Sequence, residues 1–137
     1  MVAPLEHRLP VRVYYEDTDA GGIVYHASYI RFAERGRTEF VRMLGLDQGA
    51  YREETGLGFA VRSMTVDYLK PALLDDALEV LTEIQSTRGA SVEFLQTVLR
   101  NGEALTRMTV RVACLNKAGR PVRLPNLLRQ TTPQNTP

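Results

Sequence analysis

Chemistry concentrates in one stretch of the chain, Tyr14 to Tyr29, which reads YYEDTDAGGIVYHASY. It holds three carboxylates (Glu16, Asp17 and Asp19), the pair Gly21-Gly22, and His26. A carboxylate can attack a carbonyl carbon, or take a proton from water as the water attacks. Adjacent glycines let backbone N–H groups come close to a ligand. His26 falls where a helix should begin. A helix start offers unpaired N–H donors and the positive end of the macrodipole, which suit a developing oxyanion. The same residues have plainer uses. Asp-x-Asp ahead of a helix is more often turn and capping chemistry than catalysis, Gly-Gly is usually a turn, and a lone His is more often a satisfied structural group. The acids and His26 match no metal-ligand spacing. On residue types alone the stretch is a candidate site.

The elements on either side must position it. Val11 to Tyr15 is short, apolar and β-branched, which predicts a strand running into the acidic turn. From Ser28 to Leu44, Tyr29, Phe32, Ala33, Gly36, Phe40, Met43 and Leu44 recur at helical spacing, while Arg31, Glu34, Arg35, Thr38 and Arg42 take another face. That is one amphipathic helix. Gly36 interrupts its apolar stripe at a cost of ~1 kcal/mol against Ala, which implies close approach to a sheet. Gly45 stands where a left-handed terminator belongs, and Asp47 to Thr55 has room for a short second helix. Phe59 to Leu69, residues 77–87, 91–100 and 104–116 read as strands. Leu78, Val80, Thr82 and Ile84 alternate with polar neighbours, and Asn101-Gly102 is a strong hairpin signal. The class is therefore α+β, a twisted five-stranded antiparallel sheet with one principal helix packed on it.

The chain has 137 residues, enough for one domain and a core of its own. Net charge is +1, so no global pull toward nucleic acid is expected. The charge is uneven: residues 1–87 carry 14 acids against 9 bases, and residues 88–137 carry 2 against 8. The basic half suits either a phosphorylated ligand or ordinary solvated strand faces. It lacks an aromatic-interleaved platform, so nucleic-acid binding is not expected. Cys114, the only cysteine, alternates with Val110 and Val112 as a core residue would. A single thiol excludes an internal disulfide framework and suits a reducing cytoplasm. Glu6 and Pro10 interrupt the run a signal peptide would need, and no stretch approaches the ~18 apolar residues of a membrane span. Residues 1–7 and the tail TTPQNTP are expected to be loose ends.

The run YYEDTDAGGIVYHASYIRFAERGRTEFVRMLG resembles the hot-dog-fold thioesterases of the 4-hydroxybenzoyl-CoA thioesterase type, and within them the YbgC branch linked to Tol-Pal gene clusters. The resemblance rests on Tyr-x-x-x-Asp, on Ala-Gly-Gly-Ile-Val-Tyr-His, on the helix residues Tyr29, Arg31, Phe32, Glu34 and Arg37, and on VDYLKP at Val66 to Pro71. It spans roughly residues 8–125 of a single domain, 1–137. It implies a hot-dog fold, a sheet wrapped around one long helix, in a homodimer or homotetramer whose active sites lie between subunits. It implies hydrolysis of an acyl-CoA, or of an acyl group on an acyl carrier protein, in the cytoplasm, with no cofactor and no metal.

By the same resemblance Asp19 is the catalytic carboxylate, as nucleophile or as general base, supported by Tyr15 and His26. Backbone N–H groups near Tyr25 and His26 would polarise the thioester oxygen, with Gly22 beside them. Val61, Arg62 and Ser63 fall where family members line the acyl pocket. A second hot-dog group uses a helix Glu instead. Glu34 and Glu39 are available here, but such acids usually pair with neighbours such as Arg35 or Arg42. The phosphates of CoA need cations, and Arg88, Arg100, Arg107, Arg111, Lys117, Arg120 and Arg123 are available. Two other readings stand beside hydrolysis: a hydratase or dehydratase of acyl thioesters on the same fold, and a non-catalytic module that binds acyl-CoA or acyl carrier protein.

Overall fold

A computed structural model describes residues 5–130. The elements are β1 (Glu6–Arg12), α1 (Ser28–Met43), α2 (Gln48–Thr55), β2 (Gly58–Tyr68), β3 (Ala77–Arg88), β4 (Ser91–Arg100), β5 (Glu103–Leu115) and a short α3 (Asn126–Gln130). The five strands form one sheet in the order β1-β3-β4-β5-β2, every neighbouring pair antiparallel. β1 and β2 are thus its edges. Alternating residues of β3, β4 and β5 are buried, and α1 packs across β1, β3 and β4. Extra residues at Arg62 in β2, Gln85 in β3 and Leu105 in β5 shift the register; these are the bulges that sharpen twist and let a sheet curve around a helix. This is the hot-dog arrangement.

The helix ends as its sequence requires. Gly45 is left-handed at φ 101°, its N–H donates to Arg42 O, and the next N–H, Leu46, donates to Val41 O. That is a Schellman closure. Asp47 caps α2 by accepting from Ala50 N–H at 3.2 Å. Asn101 and Gly102 both take positive φ, 51° and 80°, the type I′ geometry expected of Asn-Gly.

Gly36 explains how closely α1 lies on the sheet. A Cβ there would stand 2.8 Å from Val80 Cγ1, 2.9 Å from Thr82 Oγ1 and 3.1 Å from Gln96 Nε2. Gln96, fully buried, fills the contact. Its amide donates to Ala33 O (2.7 Å) and Thr82 Oγ1 (2.9 Å) and accepts from Arg37 Nη1 (3.0 Å). Burial pushes the Arg37 guanidinium below its ordinary pKa, opposed by the charge of Glu34.

Three expectations need correction. The first strand covers Glu6–Arg12, not Val11 to Tyr15, because Val13 leaves the sheet to bond Asp75 and Asp76 and Tyr15–Asp17 winds into a 3-10 turn. His7 is accordingly no loose end; it pairs with Thr82, and its Nδ1 is buried. The core also passes residue 125, since α3 carries Leu128, 1% exposed, onto it. Residues 1–4 and 131–137 of the expected loose ends lie outside the described residues. Cys114 is fully buried, which pushes its thiol pKa up.

Candidate active site

The loop from Tyr14 to Ala27 is a closed local structure. Asp17 turns its carboxylate back onto Tyr14 N–H (2.8 Å), so it serves turn chemistry. Thr18 and Val24 form an antiparallel bridge, and Asp19 N–H donates to Ile23 O at 2.9 Å. The tip turns through Asp19 to Gly22, with Gly22 N–H on Asp19 O at 3.2 Å and Gly22 at φ 83°. That is the type I turn plus left-handed glycine of a three-residue hairpin loop. Ile23 bridges Leu73, and Val24 N–H donates to Ala72 O, which pins the loop to the segment entering β3.

Asp19 ends up exposed at the mouth of an open cavity of about 370 Å³. Its Oδ1 accepts from Gly21 N–H at 2.7 Å, which leaves Oδ2 for a substrate or a water. Gly21 permits this approach, since a Cβ would sit 3.2 Å from that oxygen. Ile23, Val24, His26, Tyr29, Tyr68, Leu69, Lys70 and Pro71 line the rest. Tyr25 O accepts from Ser28 N–H (2.8 Å), so the trans peptide aims His26 N–H the other way, out of the helix start. Tyr25 N–H is not available as expected: it donates to Asp17 O at 2.8 Å. The Tyr25 ring lies 4.4 Å from His26 and is 44% exposed.

Of the expected residues, then, the chain gathers Asp19 and His26. Tyr15, 81% exposed on the 3-10 turn, does not line the cavity. Gly22 shapes the turn without lining the cavity either. Val61 lies on edge strand β2 in a different cavity of about 340 Å³ between α1 and the sheet. Arg62 and Ser63, at the β2 bulge, line a third with Arg88, Ser91 and Arg111. Glu34 and Glu39 border the cavity that holds Val61, and Glu39 pairs with Arg42 at 2.5 Å. Among the described residues no cluster of three or more His, Cys, Asp or Glu is set to hold a metal, and no helix is long and apolar enough to cross a membrane.

Sequence pattern points to packing for Tyr29, in the apolar stripe, yet its hydroxyl accepts Ala72 N–H at 2.9 Å. Tyr68 falls in a strand pattern that by itself marks no role at the site. Its position two residues before the Lys70-Pro71 strand stop, and so at the strand end nearest a loop, was the available signal.

A five-stranded antiparallel sheet packed on one long helix is the architecture of the hot-dog-fold thioesterases. The profile of the thioesterase-like superfamily matches residues 13–131. The acyl-CoA thioesterase YbgC of Haemophilus influenzae is 50% identical over 107 residues, 78% of this chain and 79% of that one. The acyl-CoA thioester hydrolase YbgC of Escherichia coli is 52% identical over 110 residues, 80% and 81% of the two chains. A probable thioesterase from Bartonella henselae, solved as a crystal structure, superposes with a TM-score of 0.84 at 38% identity, covering 88% of this chain and all of the other. The chain belongs to the thioesterase-like superfamily and, within it, to the YbgC acyl-CoA thioesterases. It is an acyl-CoA thioester hydrolase.

Proposed function

We propose that Asp19 carries the hydrolysis, with the helix start at His26 polarising the thioester carbonyl. One observation carries this: Asp19, whose Oδ1 is held by Gly21 N–H, and His26, whose N–H is turned away from the first helical turn, line the same open cavity. Two balanced routes use that oxygen. In one, Oδ2 attacks the carbonyl carbon, the C–S bond breaks, CoA leaves as thiolate and takes a proton, and water cleaves the resulting anhydride. In the other, Oδ2 takes a proton from water as that water attacks. Donors near the carbonyl oxygen stabilise its developing charge, a kind of contact worth about 3–4 kcal/mol in better-known enzymes. Label found in Asp19 after a single turnover in ¹⁸O-water identifies the first route, with water opening the anhydride at the Asp19 carboxyl carbon, because the second route never places water oxygen on Asp19.

The site is open in one chain, and a second copy completes it in this reading. β2 is an eleven-residue edge, the kind of unpaired backbone that recruits another strand. If two β2 edges pair antiparallel about Thr65, Val61–Ser63 of one copy lie opposite Asp67–Leu69 of the other, and that register would give Val61, Arg62 and Ser63 an acyl-lining role. The assembly is a homodimer or homotetramer. Of the available cations, Arg88 and Arg111 share a cavity with Arg62, which favours them for the CoA phosphates. An acyl carrier protein as donor, a cytoplasmic site and the Tol-Pal link rest on resemblance alone.

The test follows thiol release from acyl-CoAs of graded chain length and one aromatic acyl-CoA, with wild type and Asp19→Asn side by side. Release by wild type that falls at least a hundredfold in folded Asp19→Asn is the expected result, by analogy with losing a group that acts in the transition state. Release that survives Asp19→Asn refutes the assignment and turns attention to Glu34 or Glu39.

A further inference from the structure

Helix α1 begins without a side-chain cap. Ala27 stands at the N-cap in α-helical geometry; its carbonyl accepts Ile30 and Arg31 N–H, but it has no side-chain oxygen for the first-turn N–H groups, a place where Ser, Thr, Asp or Asn normally accept a backbone N–H. The structure supplies a tie from outside. The Tyr68 hydroxyl donates to His26 O at 2.7 Å. Its ring meets the His26 ring edge-on at 6.4 Å and the buried Tyr29 ring at 5.6 Å. Tyr68 also forms part of the wall of the Asp19 cavity. The residue is on firm ground: it pairs with Thr106 across β5, and the next two N–H groups, Leu69 and Lys70, both donate to the carbonyl of fully buried Leu105.

We infer that Tyr68 is a positioning residue for hydrolysis, holding the His26 peptide so that the helix start keeps its aim into the Asp19 cavity. This rests on the role given to that cavity above. His26 O is fixed by Tyr68 and Tyr25 O by Ser28 N–H. Holding both carbonyls that flank His26 restricts its φ and ψ, and so the direction of its N–H. Preorganised donors of this kind help because they need not reorient as charge develops. Desolvation raises the Tyr68 pKa above its ordinary value, with Tyr29 adding to the effect, so the hydroxyl remains a donor throughout the neutral range. Because Tyr68 ends the edge strand β2, it also joins the face offered to a second copy to the catalytic loop.

Tyr68→Phe keeps the ring contacts and removes the one hydroxyl. A neutral hydrogen bond sets the scale, so kcat should fall about tenfold, with KM within about twofold of wild type because ground-state binding is left alone. Circular dichroism and sizing check that the variant is folded and assembled. In ¹H–¹⁵N spectra the Ala27 amide, which shares its peptide with the freed carbonyl, should shift, while amides of β3 and β4 stay in place. Wild-type kcat in Tyr68→Phe overturns the inference. So does a rise in KM with kcat intact, which would make Tyr68 a simple binding contact. Asp19→Asn assayed in parallel keeps the two ideas apart. An active Asp19→Asn refutes the cavity's role itself, whereas an inactive Asp19→Asn beside a fully active Tyr68→Phe refutes only the positioning.

Discussion

Replacing Gly36 with alanine should destabilise the protein, although alanine is the better helix former. The new Cβ would lie 2.8 Å from Val80 Cγ1 and 2.9 Å from Thr82 Oγ1, while carbon atoms prefer about 3.5–4.0 Å. The neighbours have nowhere to go. Val80, Thr82 and Gln96 are all fully buried, and the Gln96 amide is held by three hydrogen bonds. Overpacking costs about 1–3 kcal/mol, here toward the upper end. Forcing Gln96 aside adds about 1 kcal/mol for a lost bond, and alanine returns about 1 kcal/mol of helix propensity. The net expectation is a loss of about 2–3 kcal/mol, or roughly 4–12 °C in Tm for a chain of this size.

The control is the same substitution where nothing is crowded. Gly49 in α2 would bring its Cβ no nearer than 3.5 Å to Asp47 Oδ1, so Gly49→Ala should be neutral or stabilising by up to about 1 kcal/mol. Urea unfolding at one fixed protein concentration, since association shifts the midpoint, reads both variants. Opposite signs are expected. A Gly36→Ala midpoint equal to or above wild type refutes the close-approach account of the fold.

Gln96→Leu leaves the buried Arg37 guanidinium without its acceptor and should cost about 2–4 kcal/mol. Adding Arg37→Met should recover part of that, so additive losses in the double-mutant cycle would show that the two do not act as a unit. Asp76 offers a pH test. Burial alone would raise its carboxyl pKa, but the Leu73 N–H and then Arg100, at 2.7 Å, hold it below the ordinary value. The unfolded chain therefore binds that proton first as pH falls below about 4, and folded stability is lost through the window down to the lowered pKa. Asp76→Asn should be less stable than wild type at pH 7, and the two urea midpoints should converge on acidification. Parallel curves from pH 7 to 3 would contradict the assignment.

Local rules are why so much of the fold was legible. The apolar stripe from Tyr29 to Phe40, the terminator Gly45, the hairpin at Asn101-Gly102 and the alternation in residues 77–87 each depend on neighbours within a few positions and match their signals, while Met43, placed in the same stripe, is 48% exposed at the helix end. The misses depend on distant partners. Glu6 to Arg12 becomes a strand because β3 offers an edge with Leu78 and Val80 opposite Val11 and Leu9, and the short alternation of Leu9, Val11 and Val13 with Arg8, Pro10 and Arg12 marks only its second half. Leu128 is buried because the chain folds back over the sheet after β5. The candidate site divides the same way. Asp19, His26 and the glycines lie within eight residues of one another. Tyr68 reaches His26 across 42 positions, and only the sheet's strand order brings them together.

That strand order also bears on why the carboxylate stands so open. Asp19 is exposed in the single chain, yet charge stabilisation at an acyl centre is strongest where water is excluded. Around it, Ile23, Tyr25, Tyr68, Leu69 and Leu73 are each between 39% and 48% exposed, more apolar surface in one place than an isolated chain gains from. Sheet order leaves β2 as the neighbouring edge, ending at Tyr68. A fold that kept β2 in the interior of the sheet would give the cavity no second wall to recruit. In the proposed dimer, β2 at the edge would let one association bury the apolar rim, pair the edge backbone and dry the carboxylate together, and the Tyr68 hydroxyl would tie the helix start to that same strand.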